Sequence, residues 1–182
     1  MKRNVLLEET AVRLCQIEPH HNVLEVGFGP GVGLEAACKF VTNGTGKIHG
    51  VDFSKKMVDV AKRRLKNEII RGKVDIQEGN VLALPLGNDT IDRSFHCNCY
   101  YFWPDLRAGC RELYRVMKPG SYMVTTIRVE WLKGLKKKGY LKYGAIDHVA
   151  YMDTLTEVGF TDVHIDKLED NGQPFEAMFA QA

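Results

Sequence analysis

The stretch Asn22–Gly33, NVLEVGFGPGVG, constrains this chain more than any other part of it. Val23, Leu24 and Val26 form a short apolar run, glycines follow at alternate positions (Gly27, Gly29, Gly31, Gly33), and Leu34, Ala37, Cys38 and Val41 then fall at i, i+3, i+4 and i+7. That order is strand, tight turn, helix. Glycine lets the backbone take positive φ and leaves no Cβ between the main chain and a ligand, while the helix start offers N–H groups with no partner inside the helix.

A dinucleotide-binding fingerprint needs its glycines as G-x-G-x-x-G. Counted from Gly27 the last of these positions is Val32, and counted from Gly29 it is Leu34, so neither register fits and a nicotinamide-dependent oxidoreductase is the weaker reading. A second feature completes one β-α-β unit with this turn. Asp52 ends the next strand, Lys47 to Val51, where a carboxylate can accept hydrogen bonds from both hydroxyls of a ribose. A lone Asp at a strand end also serves as a helix cap or a solvated side chain. Its pairing with the glycine turn favours the ribose.

The rest of the chain repeats this alternation. Leu7, Ala11, Leu14 and Cys15 predict an amphipathic helix over residues 4–17, within an N-terminal segment 1–21, packed on the sheet or over the cleft. Ser54 suits an N-cap for a helix with Met57, Val60, Ala61 and Leu65 on its apolar face, followed by a strand at Lys73–Gln77 and a turn at Glu78–Val81. Residues 82–89 read as loop, Ile91–Cys97 as a strand, and Leu106, Cys110, Leu113 and Met117 as the buried stripe of a helix stopped by Lys118-Pro119-Gly120. A strand at Tyr122–Ile127, a basic segment from Arg128 to Tyr143, a helix through Val149, Met152 and Leu155, and a closing strand pair (Phe160–Ile165 and Phe175–Phe179, joined through Asn171-Gly172) complete the pattern. The expected architecture is α/β: a Rossmann-like, mostly parallel seven-stranded sheet with helices on both faces and an antiparallel C-terminal strand, in one domain over residues 1–182.

Composition removes several alternatives. Net charge +2 gives no strong steering toward nucleic acid, and no segment is apolar for long enough to span a membrane. Acids and Arg13 interrupt the first twenty or so residues where a signal peptide needs an apolar run. The five cysteines include no C-x-x-C pair, which suits reduced thiols and a cytoplasmic protein. His96, Cys97 and Cys99 cluster soft ligands, but strand alternation sends His96 to the opposite side from the two thiols and no fourth ligand follows, so no metal is expected.

Several separated pieces now add up. The stretches from Val23 to Gly33 and from Val51 to Met57, the turn Gln77 to Val81, Leu84-Pro85 followed by Thr90 to Phe95, and Leu113 to Gly120 resemble, in this order and spacing, the motifs of class I S-adenosylmethionine-dependent methyltransferases. Residues 98–105, NCYYFWPD, look like the segment after strand four in the small-molecule, type 11-like branch of that family. The resemblance covers nearly the whole chain.

It implies S-adenosylmethionine as cofactor and methyl transfer to a small-molecule acceptor. Gly27, Gly29 and Gly31 would let the backbone pass the methionine part, Glu25 would hold its amino group, and Asp52 would take the ribose hydroxyls. Phe53 matches the position that packs on adenine, Asn80 the side chain facing the adenine amine, and Val81 a backbone donor to the ring; Cys97 and Asn98 match the end of strand four, beside the methionine portion. Many members have Asp where this chain has Asn80, which loses a charge-assisted bond. A catalytically idle member acting as a binding or partner subunit is the rival reading, because fold alone does not give activity.

The chemistry demands little beyond orientation, since a sulfonium is already a good leaving group. His96, His148 and Tyr100 are available as bases, but none is assigned. Four consecutive aromatics, Tyr100 to Trp103, cannot all point inward, so Tyr100, Tyr101 and Trp103 are candidates for the acceptor site. Cys99 and Tyr100 stand where amino-methylating nucleic-acid enzymes carry the prolines of N-P-P-Y, which argues for a small acceptor and against nucleic acid. The lysines of the basic segment could hold an anionic ligand or lie in water; residues 128–146 are read as a mobile cover on the acceptor side, with Trp131 and Tyr140 meeting the acceptor.

Overall fold

A computed structural model describes residues 2–141, 144–170 and 172–182. The elements follow as α1 (Lys2–Leu14), β1 (Asn22–Val26), α2 (Val32–Val41), β2 (Lys47–Asp52), α3 (Lys55–Arg64), α4 (Lys66–Ile70), β3 (Val74–Glu78), β4 (Ile91–Cys97), α5 (Leu106–Val116), β5 (Met117–Ile127), α6 (Val129–Lys137), α7 (His148–Val158), β6 (Thr161–Asp170) and β7 (Gln173–Gln181). They build one seven-stranded sheet of order β3-β2-β1-β4-β5-β7-β6. β7 runs antiparallel to both its neighbours and the other pairings are parallel, so the last strand of the chain slots inside the sheet and leaves β6 at the edge.

Strand alternation divides the core. Val23, Ile48, Phe95 and Val124 face α1, α2 and α3, whereas Leu24, Val26, Ile91 and Met123 face α5, α6 and α7. Glu25 shares the Val23 side of β1 and therefore points toward α1 and α2. On β4, His96 lies on the α7 side, and Cys97 joins Leu7 and Phe175 beneath α1.

Three differences from the sequence pattern have local causes. The basic segment, for which the sequence pattern named no element, is helical from Val129 to Lys137 because Val129 and Leu132 bury against the sheet while its lysines face out. Lys118-Pro119-Gly120 does not separate helix from strand: α5 passes directly into β5 at Met117, which pairs with Ile91. Gln16, at φ 49°, ends the first helical stretch short of Ile17. Lys142, Tyr143 and Asn171 lie outside the described residues.

Candidate cofactor and acceptor site

Sheet order reverses between β1 and β4, and a crevice at the carboxyl ends of parallel strands is expected at such a switch point. A cavity of about 470 Å³ opens there. Gly27, Gly29 and Gly31 hold φ of 67°, 53° and 81° around its turn. They are not equivalent. A Cβ on Gly27 would overlap the Cys99 sulfur, one on Gly31 would lie 2.9 Å from the Ala61 Cβ of α3, and one on Gly33 would overlap the Glu25 carboxylate; at Gly29 nothing stands within 4 Å. Three glycines let the turn pack on its own chain, and Gly29 keeps the approach open.

Gly29→Ala tests that division. Gly72, between α4 and β3 at the far ends of the strands, has φ 71° and equally open space, so Gly72→Ala is the control. Both substitutions should cost about 1–2 kcal/mol of stability for the left-handed backbone. Calorimetry should show at least about a tenfold loss of cofactor affinity in Gly29→Ala and none in Gly72→Ala, a tenfold change being about 1.4 kcal/mol. Equal affinities would mean that no ligand passes Gly29.

Asp52, 9% exposed, has a second task that the sequence did not signal. Its Oδ2 accepts the Gly29 N–H at 2.8 Å and its Oδ1 the Ser54 N–H at 2.8 Å, which latches the glycine turn to the β2–α3 connection. Each oxygen can accept a further bond, and Asp52 lines the cavity. Beside it Phe53 is 79% exposed on the cavity wall, a large apolar ring that water alone would not favour there. Opposite, Val81 and Asn80 line the cavity.

Asn80 Oδ1 accepts the Leu82 N–H at 3.0 Å, so its acceptor already shapes the turn after β3. Asn80→Asp supplies a second acceptor oxygen and a charge without disturbing that bond. Cofactor affinity should stay level or rise, up to about tenfold for a charge-assisted bond. A large loss, read by the same titration, would show that the Asn80 amide donates to the ligand.

At the end of β4, Asn98 at φ 47° and Cys99 line the cavity, whereas Cys97 is turned toward α1 and does not. The aromatic run divides sharply. Residues Tyr100–Phe102 form one 3-10 turn that buries Tyr100 and Tyr101 and leaves Phe102 on the cavity wall beside Trp103 and Pro104. Tyr100 stacks on Tyr151 with centroids 4.3 Å apart; with Tyr101 it borders a smaller neighbouring cavity of about 240 Å³. Trp103 is fixed by Nε1, which donates to Cys99 Sγ at 3.2 Å, and by Gly109, whose missing side chain admits the indole. Phe102 was missed by sequence reasoning; the signal was the run of four aromatics, but its bend into a 3-10 turn decides which ring faces out.

Trp131 borders a separate cavity of about 220 Å³ with Arg128, Glu130, Pro174 and Glu176, and Tyr140 is 78% exposed. The structure does not bring either to the Asp52–Trp103 cavity. His96 is fully buried, with Nε2 2.8 Å from the Tyr151 hydroxyl and 2.9 Å from Thr125 Oγ1. Burial pushes its pKa down to about 3, so it is a neutral structural imidazole. Tyr100, Tyr151 and His96 thus form a packed polar layer behind Trp103, and His148 lines neither the main nor the neighbouring cavity.

The acids behind the turn form the last part. Glu25, 1% exposed, lies against the start of α2, where its carboxylate leaves no room for a Cβ on Gly33, and Glu8 of α1 is 7% exposed. Desolvation first, then Glu8 and Asp52, hold the Glu25 carboxyl well above the usual range. Desolvation raises Glu8 to about 7, against the pull of the Gly33 backbone amide and the charge of Arg64. The Oε2 of each has no hydrogen-bond partner.

One antiparallel strand beside β5, on an otherwise parallel sheet with its cleft over β1 and β4, is the methyltransferase variant of the Rossmann-like fold. Residues 23–120, more than half of the chain, match the family model described as methyltransferase domain; the chain belongs to that family, in its class I S-adenosylmethionine-dependent branch. Among its relatives, the uncharacterised methyltransferase YdaC of Bacillus subtilis is 30% identical over 125 residues, 69% of this chain and 66% of that protein. A ubiquinone/menaquinone biosynthesis C-methyltransferase of Geotalea daltonii is 30% identical over 115 residues, 63% of this chain and 48% of its own length. The chain therefore spans less than two thirds of either curated relative. The crystal structure of an S-adenosylmethionine-dependent methyltransferase from Aquifex aeolicus shares the fold, with a TM-score of 0.73 at 21% identity, covering 99% of this chain and 92% of that one.

S-adenosylmethionine is the cofactor of this branch, and the residues present fit it. An open glycine, a carboxylate with spare acceptor sites, an exposed ring and an orphaned buried acid are the groups a cationic adenosine needs. Among the described residues, no helix is long and apolar enough to cross a membrane.

Proposed function

We propose that this protein transfers the methyl group of S-adenosylmethionine to a small, largely apolar acceptor. The observation that supports this best is the continuity of the main cavity, which has Asp52, Phe53 and Asn80 in its lining together with Asn98, Phe102 and Trp103. The bound cofactor supplies a methyl on a sulfonium that leaves without further activation. In this reading Asp52 fixes the ribose, Phe53 covers the adenine, and Gly29 admits the backbone-hugging tail. Phe102 and Trp103 hold the acceptor flat and keep water out, which supplies orientation rather than acid–base help.

The aromatic rim favours a small acceptor over nucleic acid. So do the lysines of α6, two of which are already engaged: Lys133 with Glu130 at 3.0 Å and Lys136 with the Gly144 carbonyl at 2.7 Å. The named acceptor pathway of the Geotalea relative, a quinone, belongs to the same apolar class. Five buried, unpaired cysteines support a reducing, cytoplasmic setting. Calorimetry with S-adenosylmethionine and S-adenosylhomocysteine, then formation of the latter with a panel of neutral aromatic and isoprenoid acceptors, tests the reading. Tight binding with no turnover on any acceptor would favour the idle-subunit alternative. Retention of RNA that falls steeply with salt would overturn the small-molecule assignment.

A further inference from the structure

We propose that the cavity beside Arg128 is a second ligand site, separate from the cofactor cavity, and that it takes a small aromatic monocarboxylate on the Arg128 guanidinium.

The site is built where β5 passes into α6. Arg128 follows Ile127, the last residue of β5, and stands as the N-cap of α6 without a side-chain capping bond. It is 8% exposed, its Nε is enclosed with no hydrogen-bond partner, and no ion pair among the described residues includes it. A buried guanidinium without an acceptor is costly, because its hydration is lost and nothing in the fold replaces it. Such a group calls for an anion.

The start of α6 acts in the same direction. Its first N–H, that of Val129, donates to Glu176 Oε2 at 3.0 Å, and the Leu132 N–H closes the first bond of the turn onto the Arg128 carbonyl at 3.0 Å. The N–H groups of Glu130 and Trp131 lie between these two and have no partner inside the helix. Both residues line the cavity of about 220 Å³ together with Arg128. The positive end of the helix and the guanidinium therefore favour negative charge in one space.

The rest of the lining decides the ligand class. Glu176 is engaged by the Val129 N–H, and Glu130, whose side chain is 80% exposed, by Lys133 at 3.0 Å. These two acids still oppose a dianion, so a monoanion fits better than phosphate. The guanidinium fork matches the two oxygens of a carboxylate. Trp131 and Pro174 supply apolar wall for the body that carries it. The volume lies below the roughly 300 Å³ at which pockets for drug-sized ligands begin, which leaves room for a single ring.

This cavity shares no lining residue with the Asp52–Trp103 cavity. The two lie at the carboxyl ends of neighbouring parallel strands, β4 leading to Asn98 in one and β5 to Arg128 in the other.

The experiment is a titration with benzoate, followed by the indole N–H signals of the two tryptophans in ¹H–¹⁵N spectra, with benzamide and inorganic phosphate as control probes. It is run on wild type, Arg128→Met and Arg128→Lys, each melted with and without benzoate. Benzoate should move the Trp131 signal to saturation and leave that of Trp103 in place, and both control probes should bind at least about tenfold more weakly. Arg128→Met should lose about tenfold or more in benzoate affinity, the value of one charge-assisted bond, and Arg128→Lys should retain part of it. Without ligand, Arg128→Met should melt at or above wild type, since it removes an unpaired buried charge, and benzoate should raise the melting temperature of wild type alone. Saturating S-adenosylhomocysteine should leave the benzoate titration unchanged. The proposal is overturned by the lack of a saturable Trp131 shift in wild type, by equal affinity in Arg128→Met, or by displacement of benzoate by S-adenosylhomocysteine. Melting of Arg128→Met well below wild type overturns it too, because the guanidinium would then already be paired within the fold. Tighter binding of phosphate than of benzoate overturns the ligand class. The cofactor reading stands on its own titration and survives each of these failures.

Discussion

Asp52→Ala is expected to weaken S-adenosylmethionine binding by at least about 150-fold, because two hydrogen bonds to a charged acceptor are lost at about 1.5–3 kcal/mol each. The same substitution removes the latch between Gly29 and Ser54, whose N–H groups both point at this carboxylate. Gly29 and Ser54 are both partly exposed, so their donors regain water and the cost to the fold should be smaller, about 1 to 2 kcal/mol. Asp52→Asn separates the two effects. It keeps one acceptor oxygen, but its NH₂ faces a backbone N–H, so the turn should loosen almost as much as with Ala. Calorimetry gives the affinity and urea unfolding the stability; near-normal affinity in a folded Asp52→Ala protein would sink the ribose assignment.

What the sequence could and could not show follows from the range of each interaction. The glycine turn, the strand ending in Asp52 and the order of alternating elements were legible, because hydrophobic period and glycine placement are local signals. Phe53, Asn80, Val81 and Asn98 line the cavity. The separate roles of the four glycines were not legible: Gly27 is set by Cys99, Gly31 by Ala61 and Gly33 by Glu25, contacts that only the folded sheet creates. Likewise the choice of Phe102 over Tyr100 depends on a 3-10 turn that stacks Tyr100 against Tyr151 of a distant helix. The helix in the basic segment was hidden by its charge, since only two residues of that helix, Val129 and Leu132, are buried. Glu8 gave no sign at all, being one of two adjacent acids on an amphipathic helix, and only the folded chain shows that it is buried.

The burial of Glu8 should be visible in the free protein as pH dependence of stability. Burial raises the Glu8 carboxyl from 4.5 to about 7, so the folded chain binds a proton that the unfolded chain has released across that interval. Where the native state holds more protons, unfolding free energy falls as pH rises. The contribution of Glu8 is therefore fully present below about pH 4.5 and lost as the pH passes through about 7, a change of about 3 kcal/mol at 1.36 kcal/mol per pH unit. Glu25, also raised, adds in the same direction. The histidines oppose it: His21, His49 and His96 have lowered values, so their buried neutral rings destabilise the fold as pH falls. The total profile is thus a dome, and the wild type alone does not isolate the acid. The difference between wild type and Glu8→Gln does, because the histidine terms are common to both. Urea unfolding at pH 5, 6, 7 and 8 should show the variant gaining on the wild type with each step and exceeding it above pH 7. Parallel curves would mean that Glu8 ionises like a surface carboxylate and that no proton waits behind the glycine turn.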